Sequence, residues 1–165
     1  SFAIVRNPYE RFLSFYNAFQ GNKSIKYDFF GTVEECKYDK KKNNPKCGHL
    51  NWSRELMNYD SFRSFCLNFK NTKIKNDIHF LPQTEMLTYN GKIDVDIIYK
   101  FEDRETMYKD LKDKLNIECD NNVHIYSTKD KNSNFLNFYD NEMLDIIYEV
   151  YKDDFINFGY EKINI

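Results

Sequence analysis

The sequence lacks the features that mark several common classes of protein. None of its apolar runs approaches the ~20 residues that a membrane-spanning helix needs. Its four cysteines include no Cys-x-x-Cys pair, which argues against a zinc site. The formal net charge is −2, so no overall basic field is present to attract nucleic acid. Any anion that this protein binds must be held by local groups.

Glycine is scarce as well, with five residues, at positions 21, 31, 48, 91 and 159. None of them follows a run that reads as a buried strand, so the sequence shows no glycine-rich phosphate-binding loop of the P-loop type. The first predicted strand begins directly at Phe2. We therefore expect the natural protein to continue before Ser1.

What the sequence does contain indicates a globular domain, because 41% of its residues are hydrophobic and 18% are aromatic. The run "FAIV" (2–5) predicts a strand buried on both faces, as in a parallel sheet. Pro8 ends the strand and suits the start of a helix whose apolar positions continue to Phe19. A second buried strand is predicted at 95–102. This alternation of strand and helix predicts a single α/β domain over 1–165 with a mostly parallel sheet.

The end of the chain gives the clearest helical pattern. "NEMLDIIYEVYKDDF" (141–155) predicts one helix with a single apolar stripe, and Gly159 suits the left-handed residue that ends it. Residues 20–57 and 116–138 are polar and poorly periodic, and they predict long loops.

The first of these loops carries two kinds of candidate modification. Cys36 and Cys47 flank a polar stretch and could form a disulfide in an oxidising compartment. The alternative is that all four thiols are free. Asn22 and Asn51 match the glycosylation acceptor pattern, although the chain is so rich in asparagine that both matches could be accidental.

The bend between the first strand and the first helix is a candidate anion site. Arg6 lies at the end of the strand, and Ser14 lies further along, on the helix. Backbone N–H groups at a helix N-terminus attract phosphate, a guanidinium can grip two phosphate oxygens, and a serine hydroxyl can add a donor. The alternative is that Arg6 pairs with a carboxylate such as Glu10 while Ser14 faces water. Spacing alone does not decide between the two.

Four segments carry motifs in a fixed order. "VRNPYERFLSFY" is similar to a strand–R-[DN]-P-[YFI]-E-R-L-x-S-x-[YF]–helix pattern, and "IHFLPQTEML" is similar to H-[WF]-x-P-Q. "VDIIYKFEDRETMYKDL" resembles a Y-D-x-[IV]-x-K-x-E segment, and "EMLDIIYEVYKDDFINFGY" resembles a closing helix, I-Y-x-x-Y-x-x-D-F-x-x-F-x-Y. Together they resemble the Golgi-type carbohydrate sulfotransferases of sulfotransferase family 2, the group with chondroitin, dermatan and heparan 2-O enzymes.

The resemblance implies a P-loop-NTPase-like, three-layer α/β/α fold with a mostly parallel sheet. It also implies transfer of a sulfuryl group from 3′-phosphoadenosine 5′-phosphosulfate (PAPS) to a hydroxyl of a glycan, which leaves adenosine 3′,5′-bisphosphate (PAP), without a metal. In the family, the residues that match Arg6 and Ser14 bind the 3′-phosphate of the donor. Thr128 and Lys129 are further candidates for that phosphate; the alternative for them is a solvated basic loop.

The resemblance leaves the catalytic residue unknown. In the family, the base and the loop that binds the 5′-phosphosulfate both come before the strand that carries Arg6. We therefore expect the chain to be the C-terminal portion of an N-terminally truncated sulfotransferase domain. His79 is a candidate for base or substrate contact, because histidine is the side chain that most often serves as a general base; the alternative is a packing role. Gln83 is a second candidate for contacting substrate.

Other interpretations stay open. The domain could bind PAP or a glycan without catalysis, or it could be a relative of nucleotide kinases. The resemblance also bears on location. A eukaryotic member would be a Golgi glycoprotein with a membrane anchor before Ser1 and its catalytic domain in the lumen, whereas a bacterial or viral member would be cytoplasmic.

Overall fold

The first strand and the first helix form where the sequence pattern predicts them. The computed structural model describes residues 1–20, 56, 58–116 and 134–165, the last three of the first range by their backbone alone. Strand β1 is Phe2–Val5 and helix α1 is Pro8–Gln20. Pro8 suits the first turn of the helix, where its missing N–H is not needed and its fixed φ is already helical.

The other elements follow in chain order. They are helices α2 (Phe62–Asn68) and α3 (Gln83–Leu87), strands β2 (Thr88–Tyr89), β3 (Lys92–Ile93) and β4 (Ile97–Lys100), and helices α4 (Arg104–Leu115), α5 (Asn141–Val150) and α6 (Lys152–Phe158). Short 3₁₀ segments lie at Phe69–Asn71, Ile74–Asn76, Phe101–Asp103 and Phe135–Phe138.

Strands β1 and β4 pair in parallel, which confirms the predicted parallel sheet and the α/β class. The register runs from Phe2 opposite Ile97 to Val5 opposite Lys100. Parallel neighbours need a long connection between them, and helices α1, α2 and α3 all lie in the chain between these two strands. Both strands therefore end at the same edge of the sheet, where Arg6 follows β1.

A short antiparallel hairpin lies between α3 and β4, where the sequence analysis predicts no strand. β2 pairs with β3, and the two residues that join them, Asn90 and Gly91, have φ values of 49° and 77°. Left-handed values at both turn positions are typical of a tight hairpin, and Asn-Gly is the commonest pair there.

The prediction that β1 is buried on both faces is wrong for the described residues. Val5 is buried, but Phe2 and Ile4 are 46% and 47% exposed. Within the described part of the chain, only β4 pairs with β1, so the two strands form a narrow sheet. Alternate side chains of a strand point to opposite faces, and the face that carries Phe2 and Ile4 is only partly covered.

Aromatic side chains fill the interior between α1, α2 and the closing helices. The ring centroid of Phe12 lies 5.3 Å from that of Phe65, 4.9 Å from Phe69, 5.6 Å from Phe80 and 6.2 Å from Tyr151. Most of these pairs meet edge to face, the arrangement that aromatic rings favour. The core therefore fixes α1 in place and, with it, the residues at its N-terminal end.

The closing segment forms two helices, whereas the sequence pattern predicts one. Tyr151 leaves the helical conformation between α5 and α6, with φ −110° and ψ 24°. Its hydroxyl donates to the carbonyl of Phe80 at 2.8 Å, and its own carbonyl accepts the N–H of Asp154 at 2.8 Å. These contacts redirect the chain at Tyr151. Gly159 ends α6 with φ 61°, which confirms its predicted left-handed conformation.

Candidate functional site

The bend between β1 and α1 has much of its backbone hydrogen bonding already satisfied. The side chain of Asn7 accepts the N–H of Tyr9 at 3.0 Å and that of Glu10 at 3.5 Å, so it caps the helix. The N–H of Asn7 itself donates to Glu102 Oε1 at 2.7 Å. An anion at this bend must therefore be held mainly by side chains rather than by the helix terminus.

Arg6 keeps hydrogen-bonding capacity in spite of an ion pair. Its Nη2 lies 3.2 Å from Glu10 Oε2, and its guanidinium lies 4.9 Å from the ring centroid of Phe101. A guanidinium carries five N–H donors, and the Glu10 contact uses one of them. Its Nε is buried and has no hydrogen-bond partner among the described residues. A partly exposed cation with an unsatisfied donor favours an anion beside it.

Ser14 lies on the same face of α1 as Glu10, the residue that contacts Arg6. Residues four apart on a helix are neighbours on one face, so Ser14 lies one turn beyond Glu10. Its side chain is half-buried. Arg6 contacts Glu10, and Glu10 and Ser14 share a face, so the fold brings the two predicted phosphate ligands to the same side of the bend.

Gln83 contacts Arg6 directly, through the backbone of Arg6. Gln83 Oε1 accepts the N–H of Arg6 at 2.8 Å, and Gln83 Nε2 donates to the carbonyl of Arg6 at 2.9 Å. Behind it, Asp154 accepts the N–H of Gln83 at 2.9 Å and that of Thr84 at 2.7 Å. Gln83 is only 5% exposed and Asp154 is fully buried, so both side chains serve contacts within the protein.

The segment that follows β4 also contacts the bend, through Glu102. Glu102 accepts the N–H of Asn7 through one oxygen and the hydroxyl of Tyr160 through the other, at 2.9 Å. Burial, followed by the carboxylate of Glu102, raises the pKa of Tyr160 well above its ordinary value. Lys100 Nζ donates to the carbonyl of Gly159 at 2.9 Å and lies 4.5 Å from the Tyr160 ring centroid. The end of α6 is thereby tied to the end of β4.

All four motif segments of the sequence therefore converge on one bend. The chain matches the model of the sulfotransferase family over residues 1–161. The chain belongs to the sulfotransferase family. No curated protein and no solved structure gave a significant match. Membership supports sulfotransfer as the activity and a P-loop-like fold, and the family generally uses PAPS as its donor.

In this sulfotransferase chain, His79 lies beside the face of α1 that carries Phe15, next to the face that carries Glu10 and Ser14. Its Nδ1 lies 2.5 Å from Asp77 Oδ1, and its ring meets that of Phe15 edge-on, with centroids 5.7 Å apart. Phe15 also lies under the guanidinium of Arg11, which donates to the carbonyl of Leu81 at 2.9 Å. His79 thus belongs to a packed turn against α1, and the carboxylate of Asp77 orients its ring.

Several candidates lie outside the described residues. These are Thr128 and Lys129, the Cys36–Cys47 pair, and the glycosylation acceptors Asn22 and Asn51. In the part of the chain that the structure does describe, no group of three or more histidine, cysteine or acidic side chains is placed to hold a metal ion. Across those same residues, no helix has both the length and the hydropathy that a membrane crossing requires.

Asp154, Glu102 and Tyr160 are site residues to which the sequence pattern assigns no role. Each lies inside one of the quoted motif segments, so the motifs mark them, but composition and periodicity say nothing of their partners. Asp154 falls on the apolar stripe of the closing pattern, seven residues after Ile147, but the pattern does not say which donors its buried carboxylate accepts from.

Proposed function

We propose that this chain is the donor 3′-phosphate-binding part of a PAPS-dependent carbohydrate sulfotransferase, in which Arg6 and Ser14 hold the 3′-phosphate. The observation that carries the proposal is the state of Arg6. Its guanidinium is partly exposed, has a buried and unsatisfied Nε, and extends from a backbone that is held on both sides. A phosphate monoester carries a charge of about −1.5 to −2 at neutral pH and offers three acceptor oxygens, which suit such a donor.

The ion pair of Arg6 with Glu10 is compatible with this role. The two side chains are 31% and 28% exposed, and partly exposed pairs of this kind are weak. A phosphate with about twice the charge of a carboxylate competes well for the remaining guanidinium donors. The Ser14 hydroxyl, half-buried one turn beyond Glu10, adds a donor on the same face.

The reaction that we propose transfers a sulfuryl group to a sugar hydroxyl. PAPS supplies the sulfuryl group, and PAP leaves with the electron pair of the broken S–O bond. A base must take the proton of the acceptor hydroxyl, and we assign no described residue to that task. The sugar acceptor is proposed on the resemblance to the carbohydrate enzymes, and a Golgi-lumenal location is proposed for a eukaryotic source on the same ground.

Binding of PAP and of adenosine 5′-monophosphate tests the proposal, because the second ligand lacks the 3′-phosphate. In the full-length protein we expect Arg6→Ala to weaken PAP binding about tenfold to a hundredfold, the value of a charge-assisted hydrogen-bond pair, and to leave the monophosphate unaffected. Arg104→Ala is the matched control, because the Arg104 guanidinium also lies over the Phe101 ring, at 5.1 Å. Titration calorimetry measures both ligands.

Ser14→Ala should weaken PAP binding about tenfold with the same selectivity, for the loss of one hydrogen bond to a charged group. Ser64→Ala, a half-buried serine of α2, is its control. Equal affinities of wild type and Arg6→Ala for PAP would contradict the assignment. Transfer of radiolabelled sulfate from PAPS to a glycan then separates the enzyme from the alternative, a domain that binds PAP without catalysis.

A further inference from the structure

We propose that Gln83 is a positioning residue, which holds the backbone of Arg6 so that the guanidinium meets the 3′-phosphate; this inference rests on the proposed function. The amide of Gln83 pairs with both backbone groups of Arg6, at 2.8 Å and 2.9 Å. The Gln83 side chain thereby pairs with both backbone groups of one residue, as a neighbouring strand does in a sheet. At 5% exposure, Gln83 has little surface left to offer a substrate.

The buried carboxylate of Asp154 decides which way the Gln83 amide points. Asp154 Oδ2 accepts the backbone N–H of Gln83 at 2.9 Å and lies 3.4 Å from Gln83 Nε2. A carboxylate only accepts hydrogen bonds, so the amide nitrogen must face it. The amide oxygen then faces the N–H of Arg6. The amide orientation that Arg6 requires is therefore set from α6, on the other side of Gln83.

The backbone of Arg6 depends on the Gln83 amide because the pairing of β1 does not extend to Arg6. The pairing of β1 with β4 ends at Val5 and Lys100, one residue before Arg6. In the described structure, Gln83 holds the peptide groups of Arg6, and Glu102 holds the N–H of Asn7. Without Gln83, the peptide before Arg6 loses the hydrogen bond of its N–H, and the peptide after Arg6 keeps only the one that its N–H donates to Glu102. A shift of about 1 Å in a group that positions a ligand can lower reactivity about a hundredfold.

Gln83→Met tests the proposal, because it keeps the length of the side chain and removes both hydrogen bonds. In the full-length protein, we expect the ratio of PAP affinity to adenosine 5′-monophosphate affinity to fall about tenfold, with the monophosphate affinity unchanged. A merely structural role for Gln83 would lower both affinities together, in proportion to the unfolded fraction, and leave the ratio at its wild-type value. That outcome overturns the positioning role.

A double-mutant cycle shows whether Gln83 acts through Arg6. If it does, adding Gln83→Met to Arg6→Ala weakens PAP binding no further; fully additive losses overturn the proposal.

If Arg6→Ala leaves the ratio unchanged, the proposed function fails. If Arg6→Ala lowers the ratio and Gln83→Met does not, only the positioning role fails. Tyr139→Phe is the control, because it removes a 2.7 Å hydrogen bond to the carbonyl of Tyr9 and should not change the ratio.

Gln83→Glu supplies a test that does not depend on the methionine variant folding. A protonated carboxyl can accept from the N–H of Arg6 and donate to its carbonyl, as the amide does, whereas an ionised carboxylate cannot donate and also faces Asp154. We measure the ratio of PAP affinity to adenosine 5′-monophosphate affinity in this variant and divide it by the wild-type ratio at the same pH. We expect the quotient to rise towards one as the pH is lowered. A folded variant that is equally impaired at every pH overturns the proposal.

Discussion

Arg6 lies between a carboxylate and an aromatic ring, and both influence how it would receive a phosphate. Its Nη2 contacts Glu10 at 3.2 Å, and its guanidinium carbon lies over the ring of Phe101, 4.9 Å from the centroid. A partly exposed ion pair contributes at most about 1 kcal/mol, so Glu10 can orient Arg6 without preventing it from binding a stronger anion. The carboxylate nevertheless adds a negative charge beside the proposed phosphate.

Glu10→Gln should therefore tighten PAP binding by about fivefold, since two negative charges a few ångströms apart repel by roughly 1 kcal/mol or more near a protein surface. The glutamine keeps an acceptor for Arg6, and adenosine 5′-monophosphate should not respond. Glu142→Gln, which removes the carboxylate partner of Arg63, is the matched control. Unchanged or weaker PAP binding in Glu10→Gln would show that the pair with Glu10 holds Arg6 in its binding position.

The sequence could identify Arg6 but not what holds it. Strand, proline and helix pattern lie within a few residues of each other, so the bend and its arginine are visible locally. Gln83 is 77 residues from Arg6, and Asp154 is 71 residues beyond Gln83. No periodicity links positions so far apart. The motif segments mark these residues, but only the folded chain shows that the Gln83 side chain pairs with the backbone of Arg6.

At the scale of elements, α5 depends on a capping residue that also joins it to α2. Asp140 accepts the N–H of Met143 at 2.9 Å and the Nε of Arg63 at 2.8 Å. The hydrogen bond from Met143, and then the contact with Arg63, hold the pKa of Asp140 below its ordinary value of 3.8. The stabilisation that the carboxylate gives is therefore present above pH 3.8 and is lost as the pH falls further.

Asp140→Ala should lower the free energy of unfolding by about 1 kcal/mol, the usual cost of losing a helix N-cap. Asp140→Asn should retain most of that stability, because asparagine caps as well as aspartate does and loses only the exposed ion pair with Arg63. Urea denaturation of both variants at neutral pH measures the difference. Equal destabilisation by the two substitutions would mean that the ion pair, and not the cap, stabilises this end of α5.

Element types were easier to predict than element ends. Helical spacing identified α1 and the closing helices, and apolar runs identified β1 and β4. The break at Tyr151 escaped prediction because the apolar stripe continues through it. The cause is a hydroxyl that reaches Phe80, 71 residues away. The β2–β3 hairpin was missed because each strand is only two residues long.

At the scale of the whole molecule, tyrosine hydroxyls join segments that are distant in sequence. Tyr139 donates to the carbonyl of Tyr9, Tyr151 to that of Phe80, and Tyr160 to the carboxylate of Glu102. Burial raises the pKa of Tyr9 to about 12, and burial also raises the pKa values of these three donors above 10.0. The fold therefore holds these phenols in their neutral form.

Stability should accordingly decrease steeply in alkaline solution. An unfolded tyrosine ionises near pH 10.0, whereas Tyr9 in the folded protein ionises near pH 12. Its neutral form thus contributes fully below pH 10, and above it each pH unit lowers the free energy of unfolding by about 1.4 kcal/mol per buried tyrosine. Urea unfolding followed with tyrosinate absorbance measures this. Tyr151→Phe should be less stable at neutral pH, yet lose less stability above pH 10; a parallel decline in variant and wild type would locate the alkaline sensitivity elsewhere.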